Sequence, residues 1–141
     1  MNPQEVQESF NQKAAMVHGL MLMCHIDGNI SSRQMALVEC YAKSLPEFFG
    51  RDFQEYYSAA KVVAAEAGGS VDQAVNAISR ITSKEMRERL FFCVLELAWA
   101  DGPTEKRIKL ATSIQQCLGI EDRIAHEARN SVSVKFGKSV V

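Results

Sequence analysis

Two Asp-Gly pairs, Asp27-Gly28 and Asp101-Gly102, are the residues of this chain whose type and setting point most directly to chemistry. Each closes a run of apolar residues at helical spacing. A carboxylate there faces the negative end of the helix dipole, at a cost of a few tenths to about 1 kcal/mol. Something must offset that cost, and it must do so twice. One solution is a hard cation: exposed C-terminal carbonyls plus a carboxylate make the all-oxygen donor set that calcium or magnesium prefers. The other is local: Asp27 and Asp101 can accept from backbone N–H groups at the start of the following helix, as Asx-turns or N-caps. Both readings stay open on the residues alone. An EF-hand is excluded, because Ser32 stands where its glycine belongs and Val38 where its glutamate belongs.

Three other groupings carry donors or nucleophiles. The stretch Met16 to His25 holds Met16, His18, Met21, Met23, Cys24 and His25. Thioether, thiol and imidazole suit soft metals. Methionine and cysteine also fill gaps in a central helix, and that packing role is the stronger reading. His25 lies two residues before Asp27, but a catalytic pair needs a nucleophile. Ser31 and Ser32 are better spent as helix caps, and Cys24 points about 100° away from His25 on a helix. No enzyme is expected. The segment Pro46 to Tyr57 gathers Phe48, Phe49, Phe53, Tyr56 and Tyr57 around one turn. Most of these should pack on the core, and any exposed remainder is a partner surface.

Composition narrows the function classes. Lys and Arg number 16 against 17 Asp and Glu, a net charge of −1. Nucleic acid is not an expected partner, because no basic face exists and no aromatics interleave with basic residues. The four cysteines, Cys24, Cys40, Cys93 and Cys117, form no CxxC pair. They read as buried, reduced thiols in a cytoplasmic protein. No signal peptide is visible, and the apolar stretch Ala14–Ile26 is too short to insert in a membrane.

Glycine and proline punctuate the chain into helix-length segments. The pattern predicts helix one over about Gln4 to Ile26, apolar on nearly all sides from Ala14 onward. Helix two opens on the capping-box pair Ser31 and Gln34 and stops at Pro46. Helix three covers Arg51 to Ala67, and Ser70 with Gln73 caps a short fourth. Thr82 with Glu85 caps the fifth, which runs to Ala100 and is the second central helix. Pro103 suits the first position of helix six, which Gly119 ends. Helix seven spans Glu121 to about Ser131. Val132 to Val141 is expected to be a loose, flexible tail. The fold class is all-α, with about seven helices in one domain over residues 1–131.

The chain also repeats itself. Met23-Cys24-His25-Ile26-Asp27-Gly28 aligns with Leu97-Ala98-Trp99-Ala100-Asp101-Gly102, 74 residues on. The next stripe aligns at 73: Met35 with Ile108, Val38 with Ala111, Leu45 with Leu118. Each copy is a buried helix, an Asp-Gly turn and an amphipathic helix. Two such hairpins can pack about a pseudo-twofold axis, joined by a helical connector.

A buried helix ending in Asp-Gly and followed by a capped amphipathic helix, twice over, resembles the TerB-like family, tellurite-resistance protein B and its relatives. Leu20 to Leu45 and Leu90 to Ile120 carry the likeness. The resemblance implies a seven-helix bundle and a non-enzymatic role in bacterial stress, with acidic sites for divalent cations and a protein partner at the membrane. By position, Asp27 and Asp101 match the family's aspartates as metal ligands. The family's glutamate seven residues later is Gln34 here, and its counterpart in the second copy is Arg107. The resemblance thus implies a stress-associated adaptor. The alternative is a metal-independent protein-interaction module whose turns are purely structural, with the aromatic corner near Phe48 to Tyr57 as its contact.

Overall fold

A computed structural model describes residues 1–137 of the chain. Seven α-helices account for most of them, and there is no strand among the described residues. The helices are α1 (Pro3–His25), α2 (Ser32–Ser44), α3 (Phe53–Glu66), α4 (Val71–Asn76), α5 (Lys84–Trp99), α6 (Glu105–Leu118) and α7 (Asp122–Phe136). Short 3-10 turns at Pro46–Phe48 and Ala77–Arg80 lead into α3 and α5. No described helix is long and apolar enough to cross a membrane.

Helix starts follow the cap chemistry. Asn2, Ser31, Asp52, Ser70, Ser83 and Thr104 each accept a backbone N–H of the first turn through the side chain. At Ser31 the box is complete, because Gln34 Oε1 accepts the Ser31 N–H at 3.1 Å. Two expectations shift. Ser83, not Thr82, caps α5, since its hydroxyl accepts from Met86. Thr104 caps α6, so Pro103 lies outside the helix rather than at its first position. Thr82 instead uses its N–H and hydroxyl to hold Gln12 on α1.

The core forms on α1 and α5, the two helices that are apolar all round. Met16, Val17, Leu20 and Met23 of α1 and Leu90, Val94, Leu97 and Trp99 of α5 are fully buried or nearly so. Each such side chain contributes roughly 1.5–3 kcal/mol against exposure. Gly19 permits the close approach, since a Cβ there would lie 3.2 Å from Leu90 Cδ2. Helix α1 packs against α3 and α5, while α5 also carries α6 and α7. By contrast, α2 makes few close backbone approaches to α1. Its buried side chains reach α5 instead: Tyr41 donates to Glu96 Oε1 at 2.6 Å, and Gln34 Nε2 donates to the Leu97 carbonyl at 3.1 Å.

The C-terminal expectation is overturned for the residues described. Helix α7 runs through Val132 to Phe136, and Gly137 ends it in the left-handed conformation. Val132 is fully buried, and Lys135 ion-pairs with the buried Glu96 of α5. A loose tail would leave that carboxylate with Tyr41 alone. The last four residues of the expected tail, 138–141, lie outside the described residues. The cysteine expectation holds in part: Cys24 and Cys93 are buried, Cys117 is half-buried and Cys40 is exposed.

Candidate functional site

The two Asp-Gly turns adopt the same local shape. Gly28 N–H bonds to the His25 carbonyl at 2.9 Å, and Gly102 N–H to the Trp99 carbonyl at 3.0 Å. Both glycines have positive φ, +105° and +97°, which other residues reach only with strain. These turns lift Asp27 and Asp101 clear of the helix ends. Neither aspartate caps the helix that follows, because Ser31 and Thr104 do so.

Arginines from the facing copy take that place. Arg107 of α6 puts Nε 3.0 Å from Asp27 Oδ2, and Thr104 donates its hydroxyl to the same oxygen at 2.9 Å. Arg107 is nearly buried, while about a quarter of the Asp27 side chain stays open to solvent, so this charge contact is buried at the guanidinium end and wet at the carboxylate end. Its Nη1 donates to the Gly102 carbonyl at 3.0 Å, which ties the first turn to the second. Across the interface, Arg33 of α2 donates from Nη1 to the Ala100 carbonyl at 3.3 Å. Its Nε stands 3.9 Å from Asp101 Oδ1. Arg33 is largely solvent-exposed, so this second contact is the weaker one.

The positions that align in the repeat therefore act in parallel. Gln34 and Arg107 are equivalent, and each reaches to the C-terminal end of the other copy's first helix. Gln34 hydrogen-bonds to a carbonyl there, whereas Arg107 sets its charge against a carboxylate without a hydrogen bond from Nε. The guanidinium supplies at Asp27 the positive charge that a cation would otherwise bring. Among the described residues, no group of three or more His, Cys, Asp or Glu side chains is arranged to hold a metal ion.

The soft donors of α1 are divided among different surroundings. Met16, Met23 and Cys24 point into the core. His18 is buried, and its Nε2 donates to the Ala74 carbonyl at 2.8 Å. Burial lowers its pKa, and that hydrogen bond offsets only part of the shift. The Cys24 thiol is pushed up to about 12 by burial, despite the nearby Arg107 charge. It is a packing thiol rather than a nucleophile. His25 is not bonded to Asp27, whose partners are Arg107 and Thr104.

Met21 and His25 instead form the floor of a groove of about 610 Å³. Met35 and Val38 of α2 line one wall, and Phe53 and Tyr57 of α3 line the other. Side-chain hydrogen bonds from Gln34 and Tyr41 tie α2 to α5, while α2 makes few close backbone approaches to α3. The aromatic corner divides accordingly. Phe48 and Tyr56 are buried, and Phe53 packs edge-on against Phe48 at 5.1 Å between centroids. Phe53 and Tyr57 present their remaining surface to the groove, while Phe49 is exposed outside it. The sequence flagged these aromatics and Met21 but gave no sign that α2 would stand apart. At the repeat position of His25, Trp99 is buried.

Comparison with protein-family models, with curated proteins and with solved structures finds no match for this chain.

Proposed function

We propose that this chain is a metal-independent protein-interaction module of TerB-like build, in which both Asp-Gly turns are structural joints. The observation that supports this reading is the Arg107–Asp27 contact. A guanidinium at 3.0 Å, backed by the Thr104 hydroxyl, occupies the carboxylate oxygen that a divalent ion would need. A cation binding at that oxygen would compete with a nearly buried arginine, whose guanidinium also hydrogen-bonds to the Gly102 carbonyl. The adaptor role drawn from the resemblance keeps its non-enzymatic character in this proposal but loses its dependence on calcium or magnesium. The contact surface is the groove between α2 and α3, with Phe53 and Tyr57 as the aromatic anchors on its wall.

Calorimetric titration of metal-stripped protein with calcium, magnesium, manganese and zinc tests the reading. No saturable heat is expected. Saturable binding that an Asp27→Asn/Asp101→Asn variant loses would overturn it and restore the cation-dependent adaptor.

A further inference from the structure

Three soft donors open on the groove between α2 and α3. Met21 and His25 stand one turn apart on α1, so their side chains emerge side by side on its floor. Met35 stands on the α2 wall and is 49% exposed. The His25 ring has no hydrogen-bond or ion-pair partner among the described residues. The internal repeat shows what the scaffold alone asks for at these positions. Its second copy has Leu95 in place of Met21, Trp99 in place of His25 and Ile108 in place of Met35. Leu95 and Trp99 are buried packing residues there, whereas Met21 and His25 open on the groove. Ile108 is 40% exposed, close to Met35, so the scaffold accepts a non-donor at that place. All three donors thus belong to one copy, and the fold gathers them on one groove. Val38, Phe53 and Tyr57 wall it with apolar surface.

We infer that Met21, His25 and Met35 form a site for a soft monovalent cation, copper(I), with two thioethers and one imidazole as its ligands. Thioether sulfur selects copper(I) over hard divalent ions, and imidazole suits copper as well. The unbranched, rotatable methionine side chain lets sulfur from the floor and from the α2 wall turn toward the imidazole. Zinc takes nitrogen, thiolate and carboxylate ligands, and here it finds one imidazole and the Glu39 carboxylate. The site uses no atom of the Asp-Gly turns. It stands or falls separately from the interaction-module reading, whose metal independence concerns hard cations at Asp27 and Asp101.

Competition with the copper(I) chelator ferrozine, under anaerobic reducing conditions, tests the site. Cys40 is an exposed thiol that binds copper(I) in its own right, so the measurement is made on the Cys40→Ser chain. That chain should take up one copper(I). Met21→Leu and Met35→Ile copy the second repeat and nearly conserve side-chain volume, so the fold should tolerate them. Each should weaken uptake by roughly tenfold or more, since even an outer-shell partner of a metal is worth that much. The two together should abolish it, and Glu39→Gln should leave it unchanged. In the proton NMR spectrum, copper(I) should move the methyl signals of Met21 and Met35 together and leave those of the buried Met16 and Met23 in place. Zinc should move neither pair. A chain that draws no copper from the chelator overturns the inference. So does uptake that survives in the double variant, or uptake that moves the His25 ring without the two methyls. Uptake that needs Cys40 would assign the ion to that thiol and overturn the site as well. Calcium and magnesium titrations decide the Asp-Gly turns independently of these results.

Discussion

Arg107 and Asp27 stand 80 residues apart in the chain and 3.0 Å apart in the fold. The contact joins the second helix of one repeat copy to the turn of the other. It answers the electrostatic question that a carboxylate at a helix C-terminus poses. Arg107 is nearly buried, so the contact also governs how much each partner depends on the other. An exposed pair would be worth little. Here the loss of Asp27 removes the counter-charge of a nearly buried guanidinium, which keeps its hydrogen bond to the Gly102 carbonyl.

The C-terminal helix should be needed for stability. A chain ending at Ser131 lacks the fully buried Val132 and leaves Glu96 without Lys135. Lys135 is about half exposed and Tyr41 stays bonded to Glu96, so the loss of this counter-charge together with Val132 costs on the order of 1–3 kcal/mol. Denaturant unfolding of the shortened chain should show a loss of that size. Lys135→Met alone should fall in the same direction, and adding Glu96→Gln should recover part of the loss. An unchanged midpoint in the shortened chain would mean that α7 past Ser131 adds nothing.

His18 should make the fold sensitive to mild acid. Its folded pKa lies below the ordinary 6.5, so the unfolded chain takes up the proton first as pH falls. The stability it permits is intact above about pH 6.5 and declines below that, by at most about 1.4 kcal/mol per pH unit, until the folded pKa is reached. Thermal midpoints between about pH 8 and 5 should show this decline. His18→Gln should be less stable at high pH but lose less on acidification. Parallel curves for the two proteins would remove His18 as the cause.

The thiols should divide by burial. Cys40 is exposed and should react first with a thiol reagent at neutral pH. Cys24 and Cys93 are both raised to about 12 by burial, with Glu96 adding to the rise at Cys93. Each therefore holds roughly one thiolate in a hundred thousand at neutral pH. They should react only at the rate of opening, and all four thiols should react at once in denaturant. Fast modification of Cys24 in the native protein would contradict the placement of α1 in the core.

Much of the architecture is legible in the residues. Ser31 with Gln34, Ser70 with Gln73 and Gly119 each carry their own local chemistry, so the ends they mark fall where the sequence puts them. The all-round apolar runs in α1 and α5 identify the two central helices for the same reason. The caps of α5 and α6 miss by a residue through local choice of side chain, while the larger misses come from contacts distant in sequence. Val132 to Phe136 looks like a tail because Lys135 finds its partner 39 residues earlier, on Glu96. A lone acid inside the apolar run Leu90–Ala100 was the available signal. The aspartates were visible, but their arginines were not. Arg107 reads in sequence as a missing acid, while in the fold it is the counter-charge. Nothing local marks Arg33 or the hydrogen bonds that tie α2 to α5, since both depend on how the two copies meet.

A double-mutant cycle on Asp27 and Arg107 tests the central claim most directly, with stability read from denaturant unfolding. Asp27→Asn should cost roughly 1–3 kcal/mol, because it leaves the arginine charge uncompensated. Arg107→Met should cost a similar amount. The double variant should cost clearly less than the two together, with a coupling of roughly 1–3 kcal/mol. Additive losses would contradict the account: the two side chains would then stand close without one answering the other, and the charge at Asp27 would still need a partner.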